Sequence, residues 1–186
     1  MYISLAESHI YPKHRASPDV QKSENMNALK GHNKKIMAQS LAKIFVHLVF
    51  STKYRKPIIK TDIDNELYSY IGGIITGLNG IPIIINGVED HIHILATLPK
   101  TITLSKYLEE IKRSSSKWIK TKGENYKNFS WQRGYGAFSV SSYKVDVVKN
   151  YIAKQKEHHK SQDFKVEFIK FLDEYKVEYD ERYLWD

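Results

Sequence analysis

The stretch IPIIINGVEDHIHILATL, residues 81–98, decides the fold. Two β-branched runs, 81–88 and 91–98, flank the polar pair Glu89-Asp90. Runs of that composition on either side of a short polar break predict a β-hairpin. In the second run the alternation is chemical. Side chains at i and i+2 of a strand share a face, about 6.6 Å apart along the backbone. Ile92, Ile94 and Ala96 then point to a core beneath helices, and His91 and His93 point together to the opposite side.

Working outward, residues 44–52 (IFVHLVFST) read as a first strand, followed by the basic loop 53–57. Residues 62–78 space Ile63, Leu67, Tyr70, Ile71, Ile74 and Leu78 at helical intervals, and Asn79-Gly80 ends that helix. Residues 103–122 predict a second helix with Leu104, Tyr107, Leu108, Ile111 and Trp118 on its apolar side. Residues 131–140 predict a fourth, glycine-containing strand. A third helix spans 142–159 with a serine cap, and a short final helix spans 164–175. The order β-α-β-β-α-β, then α-α, defines an α+β chain of ferredoxin-like, RRM-like type. Two helices cover one face of an antiparallel sheet and the other face is left available. A C-terminal helix carries Tyr151. RNA-recognition domains share this order, so the fold alone names no function.

The chain has 186 residues, enough for one domain with a core. Residues 1–36 are polar and lack an apolar period, which predicts a disordered extension before a domain at 37–186, with Met37 as the true or an alternative start. No apolar run approaches the ~20 residues of a membrane span, and no signal peptide pattern opens the chain. With no cysteine, disulfides, thiolate metal sites and a cysteine nucleophile are excluded, and a reducing cytoplasm fits. Residues 37–162 carry 19 Lys/Arg against 10 Asp/Glu, whereas 163–186 carry 4 against 8. The basic middle suits a polyanion.

Two constellations could carry chemistry. The imidazoles of His91 and His93 can converge on one ion, although H-x-H alone is weak evidence and reads first as two polar residues on a solvated strand face. In Tyr151-Ile152-Ala153-Lys154-Gln155, positions i and i+4 lie one helical turn apart, so Tyr151 and Gln155 point together. A tyrosine in a core stripe would show the same spacing. Taken together they mean more. A phenol titrates near ~10 and is a poor nucleophile at neutral pH. A cation at a scissile phosphate would stabilise developing charge. Two imidazoles and an amide oxygen suit Mn²⁺ and are tolerable for Mg²⁺. No carboxylate ligand is evident, though Asp90 or Glu89 could stand behind the histidines.

These residues bring the chain to a family. It resembles the small single-tyrosine HUH transposases, the IS200-like group that moves insertion sequences as single strands and includes the repeat-associated tyrosine transposases. The matching pieces are KIFVHLVFSTKYRK (43–56), GVEDHIHIL (87–95), KRSSSKWIK (112–120), WQRGYGAFS (131–139), YIAKQ (151–155) and EYDERYLW (178–185), in family order. The resemblance implies that His91 and His93 are paired metal ligands, Gln155 the third ligand and Tyr151 the nucleophile. It implies cleavage of single-stranded DNA to a 5′-phosphotyrosine and a free 3′-hydroxyl, with Mg²⁺ or Mn²⁺ and no ATP. It also implies hairpin-bearing DNA ends as partner, a homodimer in which residues 141–159 can complete the other subunit's site, and a bacterial or archaeal cytoplasm near the nucleoid.

Supporting contacts are expected from Lys53, Tyr54 and Arg55, where positive charge stands beside an aromatic that can stack on an unpaired base. Lys112, Arg113, Ser114 and Lys117 offer a basic, hydroxyl-rich helix face for phosphates, and Tyr135 lies between two glycines. His47 shares a strand face with Phe45 and Val49, either backing the site or simply packed. Among rivals, histidine-triad hydrolases need a third histidine where Leu95 stands, and two-histidine phosphodiesterases need separated H-x-[ST] motifs. A non-catalytic nucleic-acid-binding module of RRM-like fold would explain the sheet order and the basic charge but not the histidine pair with a Tyr-x-x-x-Gln helix. A domesticated descendant kept for host repeat processing or regulation would carry the same residues.

Overall fold

The computed structural model describes residues 40–159 and 163–185. The expectations for residues 1–36 and for Met37 lie outside the described residues. The strands are β1 (Ile44–Ser51), β2 (Pro82–Gly87), β3 (His91–Leu98) and β4 (Gly136–Val140). They form one sheet in the order β2-β3-β1-β4, with every neighbouring pair antiparallel. Helices α1 (Asp64–Gly77) and α2 (Leu104–Ile119) cross one face. This is the ferredoxin-like arrangement that the element order predicts.

The core on that face follows from the alternation. Val46, Leu48 and Phe50 of β1 and Ile92, Ile94 and Ala96 of β3 pack against Leu67, Ile71, Tyr107, Leu108 and Ile111 of α1 and α2. Burying each large aliphatic side chain contributes about 1.5–3 kcal/mol, so this face anchors the sheet. Asn79 ends α1 in the left-handed region, φ 65°, a role open to Asn because its short side chain tolerates that backbone. The β2–β3 turn is tight. A Cβ on Gly87 would lie 2.2 Å from the His91 carbonyl oxygen, so only glycine fits opposite the start of the histidine strand.

The opposite face is not open. Among the helices that follow β4 are α3 (Val145–Ala153), α4 (Gln155–His158) and α5 (Phe164–Glu174). Phe164, Phe168 and Leu172 of α5 pack on Val49 and Phe138. Ile152 of α3 packs on Leu95 and Val140. The reason is compositional: Val49, Leu95, Phe138 and Val140 make this side too apolar to remain wet, so the chain's C-terminal third covers it. His91 and His93 are consequently 0% exposed rather than solvated.

Three local differences have physical causes. β4 is shorter than 131–140, because Trp131 makes only an isolated bridge to Thr52 and the chain bulges away at Arg133-Gly134-Tyr135. The third helix is not continuous from 142 to 159. Residues Ser142–Lys144 form a 3-10 turn with no serine side-chain cap, and the helix breaks at Lys154, φ −95°, ψ 9°. The Asn86 amide takes the carbonyls of Ile152 and Ala153 at 2.8 and 3.2 Å, which competes with continuation of the helix there. A last short helix, α6 (Glu181–Leu184), is capped by Asp180, and the residues at its end, Leu184 and Trp185, pack against the α5 cluster.

Candidate active site

Five elements converge on the covered face. β1 supplies His47, β3 supplies His91 and His93, α3 supplies Tyr151, α4 supplies Gln155 with His159 just beyond it, and α5 supplies Glu167. The break at Lys154 does not separate Tyr151 from Gln155. Both donate to the same oxygen, Glu167 Oε1: the tyrosine hydroxyl through a very short contact and Gln155 Nε2 at 2.9 Å. The other oxygen, Oε2, lies 3.0 Å from His159 Nε2, 3.5 Å from His93 Nε2 and 3.8 Å from His91 Nε2. One chain thus brings Tyr151 and Gln155 to its own His91 and His93. The Tyr151 and His93 rings are 6.0 Å apart.

Both strand histidines present the same nitrogen to this centre. His91 Nδ1 lies 2.7 Å from Asp90 Oδ1, and a carboxylate can only accept, so His91 carries its proton on Nδ1 and leaves Nε2 free of one when neutral. His93 Nδ1 meets His47 Nε2 at 3.0 Å. With Nδ1–H of His93 donating to His47, Nε2 of His93 also keeps its lone pair. Outer partners that fix ring orientation in this way are a regular feature of histidine metal sites. Asp90 thus stands where the sequence allowed it, and His47 backs the site.

Electrostatics follow from burial. The Glu167 carboxyl is 3% exposed and its pKa is pushed up to about 8, chiefly by burial and further by the charge of Asp90, against a weaker pull from Lys170. His93 is held well below the usual imidazole range by burial and by the surrounding His47, His91, His159 and His158. Burial brings His47 down to about 4. Asp90 falls below the ordinary carboxylate value: burial opposes this, and the His91 hydrogen bond and the Arg55 charge outweigh it. Burial therefore keeps Glu167, His47 and His93 largely neutral near pH 7.

Do these residues fit a cation? Among the described residues, His91, His93, His159 and Glu167 offer one donor atom each, all within 4.8 Å of one another. Two further observations point the same way. His93 Nε2 and Gln155 Oε1 are fully buried and have no hydrogen-bond partner. Orphaned buried polar atoms are uncommon and costly, and these two belong to residues that the sequence marks as ligands. The donor set of imidazole nitrogen, amide oxygen and carboxylate suits Mn²⁺ better than the oxygen-seeking Mg²⁺.

The other residues singled out in the sequence fall into two groups. Lys53, Tyr54 and Arg55 form a 3-10 turn after β1, in which Tyr54 and Arg55 adopt left-handed φ of 57° and 54°. That backbone presents the Tyr54 ring 67% exposed. Arg55 pairs with Asp90 at 3.3 Å and Asp163 at 3.4 Å, and faces the Phe164 ring. It helps line a cleft of about 340 Å³ with Asp90, Lys156 and His159, beside the histidine centre. The second group lies along α2. Lys112 donates to the carbonyls of Arg133 and Gly134 at 3.1 and 2.9 Å and sits over the Phe50 and Tyr135 rings, so its ammonium is occupied with the bulge before β4. Arg113 pairs with Glu110, Lys117 is exposed and Ser114 is half-buried. Lys112, Arg113, Trp131 and Tyr135 line a cleft of about 450 Å³.

Sequence reasoning missed Glu167 and gave His159, at the end of the tyrosine helix, no part in the site. A signal for Glu167 exists. Phe164, Phe168, Phe171 and Leu172 form one helical stripe, and Glu167 falls inside it, a carboxylate on an otherwise apolar face.

A ferredoxin-like antiparallel sheet with a buried histidine pair, and a helix-borne tyrosine beside it, places the chain in a class of small α+β proteins that gather these side chains on one sheet face. The comparisons with known proteins name the family: the model described as "Transposase IS200 like" matches residues 40–155, and the chain belongs to that family. A candidate transposase from Deinococcus radiodurans R1 is similar in structure, with a TM-score of 0.51 at 19% identity over 65% of this chain and 97% of that one. A REP-associated tyrosine transposase bound to a REP hairpin is similar too, with a TM-score of 0.50 at 18% identity over 66% of this chain and 72% of that one. At these identities the likeness concerns the fold. No curated protein matches the chain. No helix among the described residues is long and apolar enough to cross a membrane.

Proposed function

We propose that this transposase cleaves and rejoins single-stranded DNA through a covalent bond to Tyr151. The observation that carries the reading is the shared carboxylate: the Tyr151 hydroxyl and the Gln155 amide both bind Glu167, whose other oxygen stands 3.5 Å from His93 Nε2. A phenol, an amide and two imidazoles are thereby gathered around one buried point.

His91, His93 and Gln155 would hold a divalent cation, Mn²⁺ or Mg²⁺, through the imidazole nitrogens and the amide oxygen turned to the centre. When bound, the ion supplies charge stabilisation for phosphate oxygens. The Tyr151 oxygen attacks the scissile phosphorus. The new bond is tyrosine O–P, and the bond that breaks is P–O3′. The phenol gives up its proton and the departing 3′-oxygen gains one, so the products are a 5′-phosphotyrosine and a 3′-hydroxyl. Attack by another 3′-hydroxyl reverses the step and restores the phenol, so the phosphodiester energy is conserved and no ATP is used. Asp90 and His47 keep both Nε2 atoms aimed at the centre.

The strand approaches along the Arg55 cleft. Lys53 and Arg55 meet phosphates and Tyr54 stacks on an unpaired base. Arg113, Ser114, Lys117 and Tyr135, with Lys112 behind them, form a second contact surface on α2. The ends recognised carry hairpins, a reading supported by the REP hairpin bound to the similar transposase. The acting unit is a domain of residues 37–186 with residues 1–36 appended. It works as a homodimer in which residues 141–159 can exchange between sites, in a bacterial or archaeal cytoplasm at the nucleoid.

Incubation with single-stranded DNA carrying candidate element ends and Mn²⁺ tests this. A covalent protein–DNA adduct is expected, absent in Tyr151→Phe. An adduct that persists in Tyr151→Phe removes the nucleophile assigned. A chain that binds the DNA with no adduct under any metal points instead to a descendant kept for binding.

A further inference from the structure

We infer that Glu167 is a fourth protein ligand of the cation, binding through Oε2 while Oε1 holds the Tyr151 hydroxyl, so that one carboxylate spans ion and nucleophile. This rests on the reading of His91 and His93 as ligands.

The spacing supports it. Donors held about 2.0–2.3 Å from a common cation lie about 3–3.5 Å apart when adjacent. Glu167 Oε2 is 3.5 Å from His93 Nε2 and 3.8 Å from His91 Nε2, so a shift of a few tenths of an ångström brings this oxygen to ligand spacing from both nitrogens. Charge supports it as well. Glu167 is buried, and among the described residues no Lys or Arg pairs with it; its partners are Tyr151, Gln155 and histidines. A buried carboxylate without a cationic partner is costly to retain. A divalent ion between it and the two imidazoles removes that cost. The third support is the amide. Gln155 Nε2 donates to Glu167 Oε1, which turns the partnerless Gln155 Oε1 the other way and leaves it available to the ion.

The division of labour follows from the two oxygens. Oε2 adds an anionic ligand that the histidine–amide set lacks. Oε1 keeps the phenol oriented at the ion's edge. Because α5 carries no other donor to the site, Glu167 also makes the seating of that helix part of the metal centre.

The test is isothermal titration of the DNA-free full-length chain with Mn²⁺. Glu167→Gln keeps the shape and the acceptor for Tyr151, and is expected to weaken Mn²⁺ binding at least tenfold. Tyr151→Phe removes the other contact of the same carboxylate and is expected to stay within about twofold of the parent. The double variant His91→Ala, His93→Ala is expected to lose binding. Parent-like affinity in Glu167→Gln, with loss in the histidine variant, overturns the fourth ligand and leaves the histidine reading standing. Equal behaviour of the parent and the histidine variant overturns both. If Glu167→Gln does not fold by circular dichroism, Glu167→Asp withdraws the charge by one methylene, and an undiminished affinity there overturns the inference.

Discussion

His47 and His93 hydrogen-bond across the β1–β3 pair, Nε2 to Nδ1 at 3.0 Å, although the register sets His93 opposite Val49 and His47 opposite Leu95. The contact is diagonal, between side chains on one face, and it is the link that fixes which nitrogen of His93 faces the centre.

Removing that link has a defined consequence. His47→Leu leaves the buried Nδ1–H of His93 unpaired, a cost of about 1–3 kcal/mol. It also frees the ring to turn, so Mn²⁺ affinity should fall about 10-fold to 100-fold, the usual effect of losing an outer partner. Thermal melts and Mn²⁺ titration measure the two effects separately, and His47→Gln should recover part of both.

The stability of the metal-free protein should pass through a maximum near neutral pH. Glu167 keeps its proton up to about 8 when folded but only to the ordinary carboxylate value when unfolded. The folded state therefore binds the extra proton, and stability falls as pH rises through that window. His47, with a folded pKa of about 4, and His93, also lowered, act in the opposite sense: the unfolded state binds more protons below about 6.5, so stability rises with pH up to there. Above about pH 7 only Glu167 of these three is still changing. Melting temperature in chelator should decline from pH 7 to pH 8, and Glu167→Gln should flatten that decline.

Lys112 and Arg55 should separate by assay. Lys112→Met breaks charge-assisted bonds to two backbone carbonyls and should lower stability by about 1.5–3 kcal/mol. It should leave the salt dependence of DNA binding nearly unchanged. Arg55→Ala should instead reduce the slope of log K against log salt by about 0.7, the contribution of one phosphate contact on a single strand. Fluorescence anisotropy at several salt concentrations distinguishes the two.

Gly87→Ala should be among the most damaging conservative changes. Its Cβ would press on backbone rather than on a flexible side chain. A loss of about 3 kcal/mol is expected, with Mn²⁺ affinity reduced because His91 moves with the turn. Denaturant melts and the same titration check it.

The fold was legible where periodicity spoke. β3 spans the residues the alternation indicated, and the apolar spacing of α1 and α2 led to the face they cover. The convergence of Tyr151 and Gln155 followed from helical spacing, even though the helix breaks between them. What stayed hidden was tertiary. Whether the histidine face is wet or covered depends on where a C-terminal helix docks, and no local pattern encodes that. Glu167 was obscured for the same reason, since a lone acidic residue on a helix gains meaning only when its partners from β3, α3 and α4 are brought to it. The missing serine cap at residue 142 shows the reverse: a favourable residue type was present, and the backbone began its helix at Val145 instead.

The family match ends at residue 155, yet the roof over the histidine face is α5, which begins at Phe164. A shortened recombinant product trimmed to the matched span would keep both imidazoles and the phenol but would strip Val49 and Phe138 of their cover. Its sticky, newly wetted surface would favour aggregation, and a failure to cut DNA in such a product would reflect the trimming rather than the chemistry.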